Sequence, residues 1–268
     1  MRALILLLFL LSTFDLYGQE EIYLSSLKEK ELLSTLYGTT SYSPTTGGKW
    51  KPDTEARVNI QVSDDGFCYT EIDTIVYWNT VYGETSLRQA VVIFATNTYL
   101  DGERAECHAC APDLGIAVLQ KEEGGWLLQK FHKKLIRMGE YGVGGDIAVV
   151  KLSSENAALV LSTSYTNQGF TIAPSFWYDL TSWDNVSEIF SVVTFESGPC
   201  WNGDEIDWER SEVTERQVEL VPNTDPEGDY AHYADLLLTA HSQTCEEEEL
   251  TTTTRFRYNG FRYEQVFE

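Results

Sequence analysis

The sequence predicts an all-β protein of repeated four-strand meanders, propeller-like or a β-sandwich, preceded by a short N-terminal helix. Three observations predict it. From Trp50 onward, strand-length apolar or alternating runs follow one another, and helical spacing is scarce. Turn signals separate these runs: Asp64-Asp65-Gly66, Glu123-Gly124-Gly125 and Asn259-Gly260. Asn-Gly is a strong hairpin signal, because both residues accept positive φ. Finally, one layout recurs three times. A first strand (Thr74–Trp78; Asp146–Leu152; Arg216–Val221) leads to a very apolar second one (Ala90–Thr96; Ala157–Thr163; Ala234–Ala240). A hairpin then closes each unit: Leu114–Gln120 with Trp126–Phe131, Ser175–Leu180 with Ile189–Phe195, and Thr252–Tyr258 with Phe261–Phe267.

The chain divides as follows. Residues 1–18 read as a signal peptide, with Arg2 before the apolar core Ala3–Leu11 and the small Gly18 at the cut. That core is far short of the roughly 20 residues needed to cross a bilayer. Residues 19–48 hold a helix and a linker. Leu24, Leu27, Leu32 and Leu36 fall near helical spacing over Glu20–Leu36, Gly38 is the stop, and Thr39–Gly48 is rich in Ser, Thr and Gly. Residues 49–268 form a single β domain with meander units at about 74–135, 146–195 and 216–268, after short strand candidates at Arg57–Val62 and Phe67–Tyr69. Three blades fall below the usual minimum of about four for a closed ring. Either Arg57–Tyr69 adds an incomplete blade or the meanders stack as a sandwich.

The formal net charge of −23 repels phosphate backbones and anionic membranes, so nucleic-acid binding and membrane insertion are not expected. A signal peptide and this charge together describe a soluble protein that is secreted or periplasmic. Five cysteines remain after processing: Cys68, Cys107, Cys110, Cys200 and Cys245. Outside the cytoplasm they tend to oxidise in pairs. Cys200 and Cys245 flank the first two strands of unit three and can meet at one end of neighbouring antiparallel strands. Cys107 and Cys110 sit on the long connection of unit one and can close a short loop. Cys68 is then the odd thiol, a small buried apolar residue.

Three candidate sites emerge. The Cys107-His108-Ala109-Cys110 loop suits a local disulfide, half of a zinc site, or a redox pair whose histidine lowers a thiolate pKa. Haem attachment is excluded, since residue 111 is alanine. The run Asn223-Thr224-Asp225-Pro226-Glu227-Gly228-Asp229, followed by Asp235-Leu236, resembles the calcium loop of FG-GAP-type propeller blades. The resemblance implies Ca²⁺ ligands among Asp225, Glu227, Asp229 and Asp235. It departs from that pattern in having Asn first, Pro226 in the loop and a longer gap to Asp235. The string Glu205-Ile206-Asp207-Trp208-Glu209 resembles the catalytic strand of family 16 β-glucan hydrolases. That resemblance implies Glu205 as nucleophile, Asp207 as its tuner and Glu209 as acid/base. Too little sheet follows the string for that fold.

Seven Trp and fifteen Tyr could line a carbohydrate groove, although such residues more often fill cores. The expected function is non-catalytic binding of a protein, glycan or metal ion (Ca or Zn). The alternatives are a glycoside hydrolase using Glu205, Asp207 and Glu209, and a thiol or metal protein centred on Cys107, His108 and Cys110.

Overall fold

The computed structural model describes residues 21–53, 60–107, 110–181, 186–202, 205–225, 227–228, 230–246 and 248–267. The expected signal peptide, residues 57–59 of the strand expected at 57–62, His108, Ala109 and Asp229 therefore lie outside the described residues, and residues 60–62 are not in a strand. One helix and eighteen strands are present among the described residues.

The chain enters on β1 (Tyr23–Leu24) and turns into α1 (Glu29–Tyr37). The helix is shorter than its leucine spacing suggested. Leu24 is held in a strand against Trp126, and the Glu31 carboxylate reaches back to the Ser25 amide and both serine hydroxyls. These bonds satisfy polar groups ahead of the first turn and fix the helix start. Gly38 ends it in the left-handed conformation at φ +64°.

The segment expected as a linker is instead a hairpin, β2 (Ser41–Ser43) with β3 (Gly47–Trp50). Glycines that read as flexible are there for close approach. A Cβ at Gly47 would collide with the Thr70 carbonyl, and its φ is +70°.

Unit one becomes β4 (Cys68–Tyr82), β5 (Thr85–Asn97), β8 (Asp113–Glu122) and β9 (Gly125–Arg137). A two-stranded ribbon, β6 (Tyr99–Leu100) and β7 (Glu103–Arg104), decorates the long connection. With β1, β2 and β3 these strands form a seven-stranded antiparallel sheet in the order β1-β9-β8-β5-β4-β3-β2. The second sheet holds β10 (Asp146–Lys151), β11 (Ala157–Ser162), β13 (Phe170–Asp179), β14 (Glu188–Asn202), β15 (Glu205–Val221), β16 (Asp235–Gln243), β17 (Glu249–Tyr258) and β18 (Tyr263–Gln265). They pair in that sequence, and β12 (Tyr165–Asn167) pairs with β13 at the side.

Units two and three are not separate blades. β14 pairs with β15, so both units run on in one sheet. The propeller alternative is corrected on this point: a blade ends where its sheet ends, and here the ladder continues.

Burial explains the unbroken apolar run of β5. Ala90, Val92 and Phe94 pack under α1 with Leu32, Leu33, Leu36 and Tyr37. Val91, Ile93 and Ala95 face the second sheet and meet Ala157, Leu159, Leu161 and Leu180. A strand covered on both faces has no polar alternation to show. The second sheet then curls over its own far side. Ala158 and Trp177 share a core with Leu236, Tyr258 and Tyr263, and the Ala234 amide donates to the Leu152 carbonyl at 2.9 Å.

That third core carries three buried phenols, Tyr233, Tyr258 and Tyr263, and a fourth, Tyr178, lies in the core between the sheets. Burial first, then nearby acidic groups, pushes Tyr178 and Tyr258 up to about 12. Tyr233 is raised by burial and then by Asp179, and Tyr263 by burial, then by Tyr233 and Asp235. The folded value exceeds the ordinary value of about 10, so the protonated phenols favour the fold. That contribution is complete below pH 10 and disappears as pH rises through the folded values. A tyrosinate absorbance step near pH 12, coincident with loss of near-UV circular dichroism, is the expected titration. Ionisation of the whole cluster near pH 10 with the fold intact would contradict it.

Candidate functional site

The most complete concave site lies between the two sheets, at the end of the β4–β5 hairpin. Its cavity is about 350 Å³, within the range of small-ligand sites of about 300–1,000 Å³. Tyr82 and Leu87 come from the hairpin, Gln89 from β5, Val118 and Gln120 from β8, and Gln129 and Lys130 from β9. Leu180 and Thr181 close it from the second sheet, where β13 ends.

Register explains how these side chains meet. Gln89 stands opposite Trp78 on β4 and opposite Gln120 on β8, so all three point to the same face. Period two puts Gln89 in phase with Val91, Ile93 and Ala95, the residues that fill the core between the sheets. The polar residue is therefore an extension of that core layer. Lys130 donates across the gap to the Leu180 carbonyl at 3.1 Å and so ties the sheets together beside the cavity.

Behind the cavity wall three buried polar atoms have no hydrogen-bond partner within the protein. Gln89 is only 8% exposed, yet its Oε1 has no partner within the protein. Trp78 Nε1 and Thr80 Oγ1 are likewise buried without a partner. These two residues face Gln89 and Leu87 in successive cross-strand pairs on one face. Trp78 and Thr80 do not line the cavity, and all three atoms are sealed from it by their neighbours.

The sites expected from sequence are arranged otherwise. Glu205, Asp207 and Glu209 lie at the tip of the β14–β15 hairpin. The ladder jumps from Pro199↔Ser211 to Cys200↔Asp207, leaving residues 208–210 as a bulge. Strict alternation fails there, so the expectation that all three carboxylates share a strand face is corrected. Asp207 is engaged instead by the Glu209 amide and, at 2.7 Å, by Arg210. Glu205 and Glu209 are exposed, and none of the three lines the cavity between the sheets.

Of the calcium candidates, Asp235 is fully buried and bonded to Arg255 at 3.1 Å and Arg257 at 3.4 Å. Arg257 also reaches Asp225 at 3.4 Å. Two guanidinium groups occupy the place a cation would take. Glu227 lies on the exposed turn nearby, and Asp229 is outside the described residues. Among the described residues no group of three or more His, Cys, Asp or Glu side chains could hold a metal ion.

Cys107 and Cys110 form a disulfide with Cα atoms 4.9 Å apart, so neither sulfur is a thiolate available to zinc. Their loop is clasped by the turn after β9: the Tyr141 amide donates to the Cys107 carbonyl and the Gly142 amide to that of Cys110. Cys200 and Cys245 form the second disulfide, with Cα atoms 5.7 Å apart. They do not lie on neighbouring strands, because β15 runs between β14 and β16. Two strand spacings of about 4.8 Å would exceed the roughly 7 Å reach of a bridge. The bulge at 208–210 displaces β15 at that point, and the β16–β17 turn brings Cys245 close to Cys200. Cys68 is buried outside both bridges, its thiol 3.6 Å from the Gln61 carbonyl.

Sequence reasoning passed over Gln89, Gln120, Trp78 and Thr80. A signal was present: Gln89 and Gln120 bracket the two apolar runs Ala90–Ala95 and Leu114–Leu119, in phase with their core faces. A second groove, beside the Cys200–Cys245 bridge, is lined by Phe170, Gly198, Trp201, Glu196 and Glu212. It lies on the outer surface, with Trp201 59% exposed and Glu196 paired with Arg216 at 2.6 Å. It has no buried orphan group and offers the weaker site.

No protein-family model, no curated protein and no solved structure matches the chain.

Proposed function

We propose that this protein acts by binding rather than by catalysis, and that the cavity between its sheets is the ligand site. The observation that carries this is the lining itself, in which the amides of Gln89, Gln120 and Gln129 stand among the apolar side chains of Leu87, Val118 and Leu180. The described lining residues offer amides, one aliphatic hydroxyl, one phenol and one ammonium. That set can orient a ligand, and its one ammonium is engaged by the Leu180 carbonyl. The two disulfides are compatible with an oxidising compartment, in keeping with an exported protein. No helix among the described residues is long and apolar enough to cross a membrane.

The test is a thermal-shift screen of small molecules on the wild type and on Leu87→Trp, which fills the cavity from its rim. A ligand at a hundred times its Kd stabilises by about 2.7 kcal/mol. In a chain of this size that raises Tm by roughly 5–10 °C. The expected result is at least one compound class that shifts the wild type and leaves Leu87→Trp unmoved. Equal shifts in both proteins, or none in either, would overturn the proposal.

A further inference from the structure

We infer that the free edge of β17 pairs with an extended, basic segment of a partner protein, which joins the second sheet as one more strand. This surface is independent of the cavity between the sheets. β18 covers β17 only at Phe256–Tyr258, and the Val266 amide adds one last bond to the Arg255 carbonyl at 2.8 Å. In an antiparallel ladder the amide and carbonyl of one residue point to the same side, and that side alternates along the strand. The Arg255 carbonyl faces β18, so Thr253, Thr251 and Glu249 also turn their amides and carbonyls away from β16. Among the described residues no strand pairs with them there. Residues 249–253 are all exposed. Natural edges are commonly blunted by lysine, proline, a bulge or shortness. The stretch Leu250-Thr251-Thr252-Thr253-Thr254 holds no charge and no proline, and its register with β16 is unbroken. Its threonines also favour strand pairing.

The flanks of the edge define what the partner carries. Thr253, Thr251 and Glu249 share one face of the strand by period two. Beside Thr253, near β18, Leu237, Val266 and Phe267 line an apolar groove, with Phe267 84% exposed. Beside Thr251 a second groove is lined by Glu215, Glu249 and His241, with no lysine or arginine among its described residues. Thr253 and Glu249 are four positions apart on β17, about 14 Å along the strand. Pairing in this sheet is antiparallel throughout β14–β18. An antiparallel partner meets Thr253 first and Glu249 last. It therefore fits best with an apolar side chain followed, four residues later, by lysine or arginine opposite Glu249. Charge selects this occupant over a second copy of the chain. Two bodies of −23 repel each other, whereas a basic segment is drawn in.

Fluorescence anisotropy with labelled peptides tests it. The probes are Thr-Leu-Thr-Val-Thr-Lys-Thr, the same peptide with Glu in place of Lys, and the same peptide with Leu and Lys exchanged. They are titrated with the wild type, Thr251→Pro and Glu249→Lys. Proline at position 251 removes an outward amide and no bond to β16, so near-UV circular dichroism should match the wild type. Glu249→Lys alters one exposed side chain and leaves the backbone edge intact. The expected result is binding of the Lys peptide to the wild type, weakened by added salt and roughly tenfold or more weaker in Thr251→Pro. Glu249→Lys should prefer the Glu peptide. Amide hydrogen exchange at Thr251 and Thr253 should slow in the complex. No binding at millimolar peptide, binding unchanged in both variants, or equal binding of all three peptides would overturn the inference. Self-association by sedimentation that is lost in Thr251→Pro would assign the edge to a second copy and overturn the basic segment as its occupant.

Discussion

Replacing Cys200 and Cys245 together by alanine is expected to lower stability by about 4 kcal/mol. The bridge closes 45 residues, and the chain-entropy relation gives about that figure for such a loop. The effect is concentrated in one region. The bridge ties β14 to the β16–β17 turn across the bulge at 208–210, where Arg210 also donates to the Cys245 carbonyl at 3.1 Å. Much of β14–β17 beyond the core is exposed, so few apolar contacts compensate there. Equilibrium denaturation of the double alanine variant, compared with the wild type under non-reducing conditions, measures the loss. Limited proteolysis should cut the variant near the β14–β15 and β16–β17 turns first. A loss below about 1 kcal/mol would mean that the bulge holds its shape without the bridge.

The second large effect is expected at Arg137. Asp113 opens β8 fully buried, and its carboxylate accepts from Arg137 Nε at 2.7 Å and Nη2 at 2.9 Å. It also takes the Gln61 amide at 2.8 Å and Lys134 at 3.2 Å. Arg137→Ala leaves a buried carboxylate with one longer cation contact, and about 3 kcal/mol of stability should be lost. Asp113→Ala should cost less, about 1–2 kcal/mol, through the stranded Gln61 amide. Its two cations are partly exposed, at 38% for Arg137 and 26% for Lys134, and water can take them over. The order of the two losses is therefore the test. A larger loss for Asp113→Ala than for Arg137→Ala, measured by urea denaturation, would refute this account of the ion pair.

The sequence by itself determined what depends on local pattern. The all-β class, the helix stop at Gly38 and the turn at Asn259-Gly260 follow from backbone preferences carried by single residues. The second strand of each unit was legible from its apolar run, because covering β5 or β11 requires apolar side chains wherever the strand falls in the sheet. The phase of Gln89 against Val91 and Ile93 was also present in the residue order, although an interior glutamine gains meaning only when the facing layer is known.

What the tertiary structure decided is which strands share a sheet and which side chains meet across it. The pairing of β14 with β15 merges two units that look separate in sequence, since any strand edge offers the same backbone donors and acceptors. The bulge at 208–210 undoes an alternation that the residues alone suggested, and it lets Cys245 reach past β15 to Cys200. Arg255 and Arg257 neutralise Asp235 from the next strand, which no reading of the Asn223–Asp229 loop could show. The cavity itself joins β4, β5, β8 and β9 to the end of β13, segments up to about a hundred residues apart. Period and turn chemistry are written locally, whereas a site between two sheets exists only once burial has chosen which faces meet.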